Sequence, residues 1–348
     1  MTWKELSAQP EDWAPFHLAT TLNLTSQRMG LKGAKLLAHS PQFKHLRSLT
    51  LNASLTNKQF EEIASSKTLT QLQTLNMQRN NLGNEGLKAL CRDSVVFPLT
   101  SLDYSWNYPD NPGLLALETA PFTENLTSLN LSSSSLGLKK VRALCKAPLV
   151  SLQHLNLAYN DLSNKAFSHI VEQGQFASLK SLDLTYNTLQ KGAVRLLASD
   201  EKLQTLESLG FGSQKLDDRG LRLLLKNLPH LKALNLHWNP LTHKGLRFLL
   251  KYSNLSALHT LNWSRNNLGD SGIKQLANTE EAISLRHLDL SWNGITDKGA
   301  QWILESPVFA NLDYINLSSN PLSKKMKAAI AAHVPKTDFD FYPKILPD

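Results

Sequence analysis

Leucine returns through most of the chain in one arrangement, L-x-x-L-x-L-x-x-N-x-L. It is spelled LQTLNMQRNNL at 72–82, LQHLNLAYNDL at 152–162, LKSLDLTYNTL at 179–189 and LKALNLHWNPL at 231–241. Further copies are LTSLDYSWNYP at 99–109, LHTLNWSRNNL at 258–268, LRHLDLSWNGI at 285–295 and LDYINLSSNPL at 312–322. Weaker copies stand at 19–29, 46–55, 126–136 and 206–216, so twelve units follow one another at a period of 25 to 27 residues. The central L-x-L alternates with period two and predicts a short strand, which puts Leu288 and Leu290 on one face and His287, Asp289 and Ser291 on the other. The stretch after it, as in KGLRFLLK at 244–251 or KGAQWILE at 298–305, turns its apolar residues to one side at helical spacing.

A strand and a helix in every unit, repeated at fixed period, define a solenoid. The predicted fold is an α/β horseshoe with a parallel sheet on the concave face and helices on the convex face. Strands stack at about 4.8 Å while helices need roughly 10 Å, and that mismatch bends the array. Twelve strands give an inner wall of roughly 55 Å. Repeats account for 16–334. Residues 1–15, together with Phe16, form a predicted N-terminal cap carrying Trp3 and Trp13, and 335–348 a closing strand and tail in which Phe339 and Phe341 continue the alternation.

Each piece of the spelling has a physical task. The asparagine stands where the chain leaves the sheet, and its amide can satisfy backbone groups of adjacent units that would otherwise be buried without partners. Ser163, Asp217, Thr242, Thr296 and Ser323 follow three residues later as predicted helix N-caps. Gly86, Gly220, Gly245, Gly272 and Gly299 come six after the asparagine position, a constancy that points to tight packing at the first helical turn rather than to phosphate binding.

The eleven-residue spelling, followed by NNLGNEGLKAL at 80–90, NNLGDSGIKQLA at 266–277 and NGITDKGAQWIL at 293–304, resembles the ribonuclease-inhibitor-like class of leucine-rich repeat proteins. That class includes the Ran GTPase-activating proteins, and short arrays of this type also resemble effectors that intracellular bacteria inject into host cells. The chain departs from the inhibitor in having two cysteines and shorter repeats, and from the Ran activators in lacking an acidic tail. The resemblance implies a leucine-rich repeat fold and protein-binding work. Its candidate partners are a small GTPase and a host-cell protein.

The residues predicted to face out of the sheet locate the binding surface. Between the two core leucines stands an almost unbroken row of amides and carboxylates, among them Asp103, Asp183 and Asp289. Just before the asparagine position stand Ser26, Ala53, Arg79, Trp106, Ser133, Tyr159, Tyr186, Ser213, Trp238, Arg265, Trp292 and Ser319. Seven of those twelve are Trp, Tyr or Arg, the types that dominate binding hot spots, and His237 stands beside them. The same rings could instead pack against neighbouring repeats. The expectation is a non-catalytic scaffold or inhibitor binding a protein through Arg79, Trp106, Tyr159, Tyr186, Trp238, Arg265 and Trp292, with Asp103, Asp183, Asp289 and His237 around them.

Charge and candidate chemistry narrow this further. The 37 Lys and Arg outnumber 29 Asp and Glu, yet most of the excess falls in turns and helices rather than on the sheet, so a nucleic-acid groove is disfavoured. His287, Asp289 and Ser291 look like a catalytic set, but same-face neighbours on a strand lie about 6.8 Å apart, beyond the reach of a triad. His154, His237 and His287 fall in non-adjacent units, so no metal or other cofactor is expected. Cys91 and Cys145 share one register two units apart and read as unbridged core residues of a reducing compartment. No apolar run reaches bilayer length and the first residues lack the pattern of a signal peptide, which places the expected location in the cytoplasm.

Overall fold

The computed structural model describes residues 18–27, 29–52, 55–254, 256–279, 284–334 and 336–339. The chain divides into two compact units, Met1–Leu179 and Lys180–Asp348. The proposed N-terminal cap with Trp3, Trp13 and Phe16, and Phe341 at the other end, lie outside the described residues.

In the first unit the strands are β1 (Thr21–Asn23), β2 (Ser48–Thr50), β3 (Thr74–Asn76), β4 (Ser101–Asp103), β5 (Ser128–Asn130) and β6 (His154–Asn156). They pair in sequence order, all parallel, with Leu22, Leu49, Leu75, Leu102, Leu129 and Leu155 in one register row. Between and after them come helices α1 (Leu31–His39), α2 (Asn57–Ala64), α3 (Gly83–Leu90), α4 (Asn111–Leu115), α5 (Leu138–Leu144) and α6 (Asn164–Gln173).

The second unit repeats the plan. Its strands are β7 (Ser181–Asp183), β8 (Ser208–Gly210), β9 (Ala233–Asn235), β10 (Thr260–Asn262), β11 (His287–Asp289), β12 (Tyr314–Asn316) and the two-residue β13 (Thr337–Asp338). β13 pairs with β12 and ends one residue before Phe339. Its helices are α7 (Lys191–Ser199), α8 (Asp218–Asn227), α9 (His243–Tyr252), α10 (Gly269–Ala277), α11 (Asp297–Glu305), α12 (Pro307–Ala310) and α13 (Lys324–His333). In both units the leucines of sheet and helix meet in one apolar layer, where Leu49, Leu75, Leu234, Leu261 and Leu288 are all at most 1% exposed.

The asparagine works as the spelling implied. Asn266 Nδ2 donates to Leu236 O at 3.1 Å and Trp263 O at 3.0 Å, while its Oδ1 accepts Leu241 N–H at 3.1 Å. Asn80, Asn107, Asn160, Asn239, Asn293 and Asn320 repeat the arrangement, and in the eighth repeat Gln214 reaches the same carbonyl and amide positions with its longer arm.

The expected N-caps Ser163, Asp217, Thr242, Thr296 and Ser323 all accept a hydrogen bond from the first helical turn. Three of them are also clasped from the preceding repeat, Ser323 by Asp297, which accepts its N–H at 2.8 Å. Asp218 accepts Thr242 N–H at 2.9 Å and Thr242 Oγ1–H at 2.7 Å; Asp270 accepts Thr296 N–H at 2.8 Å and Thr296 Oγ1–H at 2.7 Å. This clasp explains two of the recurring glycines. A Cβ at Gly245 would lie 2.5 Å from Asp218 Oδ1, and one at Gly299 would collide with Asp270. Gly299→Ala therefore displaces the Asp270 carboxylate from Thr296 and is expected to lower unfolding stability by about 1–3 kcal/mol in urea titration. Gly137→Ala, with open space around its Cβ, should change little.

Candidate protein interface

Every described residue just before the asparagine position is held in the left-handed region. Arg79 (φ 60°), Trp106 (58°), Tyr159 (57°), Tyr186 (53°), Trp238 (52°), Arg265 (52°) and Trp292 (55°) share it with Ser26, Ser133, Ser213 and Ser319. The turn off the sheet imposes it, because the residue three earlier opens an Asx turn: Asp103 Oδ1 accepts Ser105 N–H, Asn262 Oδ1 accepts Ser264 N–H, and Asp289 Oδ1 accepts Ser291 N–H, each at 2.9 Å. Side chains with a Cβ are disfavoured in that conformation, so the geometry calls for Gly or Asn, and four units answer it with Ser.

The large side chains placed there are on the surface. Trp106, Tyr159, Trp238 and Trp292 are 39%, 53%, 53% and 46% exposed, Arg79 is exposed, and Tyr186 and Arg265 are half-buried. Tyr108, 42% exposed and also left-handed at φ 50°, belongs with them. Sequence reading passed over it because it follows Asn107 rather than preceding it. Two other aromatics of the spelling, Tyr104 and Trp263, sit at the second core-leucine position and are fully buried, as the alternation dictates.

In the first unit Arg79 lies over Trp106, 5.1 Å from guanidinium to ring centroid. The second unit holds a larger cluster. Arg265 lies 5.5 Å from the Trp238 ring and 4.9 Å from Trp292, bridging three successive repeats. Tyr186 meets Trp238 edge-on at 5.8 Å and His237 at 5.1 Å, although the eighth repeat lies between them. That contact exists because the eighth repeat carries Gly210, Gly212 and Ser213, and a Cβ at Gly212 would collide with the His237 ring. The glycines let the rings of the seventh and ninth repeats close over the gap.

The carboxylates are less available than the sequence suggested. Asp103, Asp183 and Asp289 are half-buried, each with one oxygen spent on its own Asx turn. Asp103 and Asp289 also accept from Asn130 and Asn316 on the next strand, at 3.0 and 3.1 Å. Burial holds the Asp289 carboxyl above the ordinary range against the hydrogen bonds from Ser291 and Asn316. These residues build the platform and leave the rings and guanidiniums as the protruding chemistry.

The expected separation within the His287, Asp289 and Ser291 set is corrected in one respect: Ser291 is buried and its Oγ–H donates to Asp289 at 2.7 Å. The strand rise does not apply there, because β11 ends at Asp289 and the chain turns. The same contact recurs as Ser105 to Asp103 at 2.6 Å and Ser264 to Asn262 at 2.7 Å, which makes it a turn element of the repeat.

His237 is pushed below its usual range, first by burial and also by Arg265, against the opposing pull of Asp183. In NMR titration its midpoint should lie below the ordinary histidine value. Arg265→Gln should raise it and Asp183→Asn lower it further. The unfolded chain takes up this proton first, so His237 removes stability as pH falls from about 6.5 through the folded-state midpoint, and none above it.

Cys91 and Cys145 are free and buried, at the C-caps of α3 and α5 rather than within them, and burial lifts their thiols to about 12 and about 11. Among the described residues no helix is long and apolar enough to cross a membrane.

The fold is a leucine-rich repeat solenoid. The leucine-rich repeat family model matches residues 68–91, 150–166, 227–250, 255–277 and 282–303. Among solved structures, an internalin from Listeria monocytogenes is similar over 98% of this chain and 90% of its own, at 18% identity and a TM-score of 0.52. The mouse RP105/MD-1 complex matches at 20% identity over 90% of this chain and 52% of that one, TM-score 0.46. A TLR13–ssRNA13 complex matches at 22% identity over 88% and 40%, TM-score 0.44. No curated protein sequence matches. The likeness to the internalin extends to fold.

Proposed function

We propose that this protein binds another protein through the left-handed anchors that each unit presents beside its strands, and acts by occluding or recruiting that partner without chemistry of its own. One observation carries the reading. The turn is met by Ser in four repeats, so the fold does not require Trp, Tyr or Arg there, yet seven repeats place these costly residues at that position, five of them exposed, two half-buried, and in part stacked on one another. Residues set against local preference without a packing return mark function. Rings pre-ordered on a rigid sheet lose little entropy on association and offer large amphipathic contact area.

The test is affinity capture from lysate with wild type beside Trp106→Ala/Trp238→Ala/Trp292→Ala, the fold being monitored by circular dichroism. A protein retained by wild type and lost by the folded variant identifies partner and surface together. Identical captures by both remove the anchors from consideration. A small GTPase among the captured proteins, with faster nucleotide hydrolysis on adding the chain, would establish the regulator suggested by the sequence resemblance. A host-cell protein would favour an injected effector.

A further inference from the structure

The helical side of the second unit carries a second, chemically different surface. Arg222 and Lys226 stand one turn apart on α8, Arg247 and Lys251 one turn apart on α9, and Lys274 on α10; all five are exposed. The helices pack side by side in chain order, which sets these cations in a grid with steps of roughly 6 Å along a helix and roughly 10 Å across. Four are seated on rings. Arg222 lies 5.5 Å from the Phe248 ring centroid, Lys226 and Lys251 lie 5.3 and 5.4 Å from Tyr252, and Lys274 lies 5.6 Å from Trp302.

Among the described residues the grid is segregated from acid. The described ion pairs of the protein all lie elsewhere, as in Lys191–Asp217 and Lys232–Glu207. Asp218, Asp270 and Asp297 stand at the opposite, N-terminal ends of their helices, and there they grip the N-cap of the following repeat. Glu305 on α11 accepts from Gln301 at 2.8 Å. Glu280 and Glu281 lie outside the described residues. The positive field is felt by Tyr252, whose hydroxyl is lowered by Lys251, Arg222 and Lys226 in spite of the opposing effect of burial. Between α9 and α10 the cations Arg247, Lys251 and Lys274 and the half-buried Leu250 line a groove of about 710 Å³.

We propose that this face of α8, α9 and α10 docks on an anionic phospholipid bilayer. The cations are a two-dimensional array, three of the five are lysines acting as point charges rather than forks, and half-exposed rings and leucines lie between them. Those properties match a plane of phosphates over an apolar layer. The π-faces that would stack nucleobases are already covered by the protein's own cations. An acidic protein segment would be better served by paired guanidiniums in a cleft. The surface is separate from the anchors, so either can fail without the other.

Sedimentation of the full chain with vesicles tests this. Binding is expected to phosphatidylcholine vesicles containing about one-third phosphatidylserine, to be absent with phosphatidylcholine alone, and to weaken steeply as salt rises from about 0.1 to about 0.5 M. Each cation near the membrane is worth about fivefold in affinity. R222Q/K226Q/R247Q/K251Q should therefore lose at least about tenfold, while K32Q/K35Q/K44Q/K58Q, with the same net charge removed from the first unit, stays within about twofold. Equal losses in the two variants, or equal binding to neutral vesicles, would overturn the proposal. So would retention of a polyglutamate peptide by a chain that ignores the acidic vesicles. Folding of both variants is checked by circular dichroism.

Discussion

Asn293→Ala should be among the most destabilising single substitutions in the second unit, at about 3–5 kcal/mol. Asn293 Nδ2 donates to Trp263 O at 2.9 Å, Leu290 O at 3.1 Å and Ser291 O at 3.1 Å, and its Oδ1 accepts Leu268 N–H at 3.2 Å. All of these atoms are in a region where Asn293 itself is 3% exposed. Alanine removes the partner of several backbone groups at once and provides no access for water, and each buried orphan costs about 1–3 kcal/mol. The effect reaches beyond its own repeat, because Trp263 and Leu268 belong to the preceding one. Asn293→Gln is the informative companion: Gln214 fills the equivalent place in the eighth repeat, so glutamine should retain part of the lost stability. Equilibrium unfolding in urea, followed by circular dichroism, reads both. A loss under about 1 kcal/mol for alanine would mean that the asparagine ladder does not hold the repeats together.

The same residues show why the fold was readable and the interface only partly so. A solenoid is specified locally. L-x-L makes a strand, the asparagine ties consecutive turns together, and a polar residue three positions later starts a helix, so each feature could be derived from one repeat and multiplied. The glycines were legible as sites of close approach, but not what approached them: the clasp of Asp218 on Thr242 and Asp270 on Thr296 joins residues 24 and 26 apart through side-chain rotamers that no periodicity encodes. At the interface, the order of residues gave the row of anchors and its side of the sheet. It could not give the left-handed backbone that makes those residues costly. Nor could it show that Gly212 in the eighth repeat lets Tyr186 reach His237, since that depends on a missing side chain. The carboxylates were overvalued for a related reason. Asp103 and Asp289 face the right way, but each spends an oxygen on the turn it opens, accepting the N–H two residues later.

Trp238→Gly and Trp292→Gly should separate binding from stability, lowering the first and leaving the second nearly unchanged. In each, glycine removes the strain of a Cβ at φ 52° or 55°, worth about 1–2 kcal/mol. Against that stand the entropy of a glycine in the unfolded chain, about 0.5–1 kcal/mol, and the loss of stacking with Arg265, about 0.5–1 kcal/mol at an exposed site. These terms nearly cancel, so the unfolding free energy should stay within about 1 kcal/mol of wild type. Affinity for the captured partner should fall by at least about 30-fold for each, as for a hot-spot ring. Arg265→Ala removes the bridge between both rings and is expected to cost more than either serine control, Ser213→Ala or Ser319→Ala, which should leave binding unchanged. A core residue cannot behave this way, because removing a packed ring creates a cavity and costs about 3–5 kcal/mol. Large destabilisation by either glycine variant would reassign the rings to packing between repeats. Unchanged stability together with unchanged affinity would remove them from the interface.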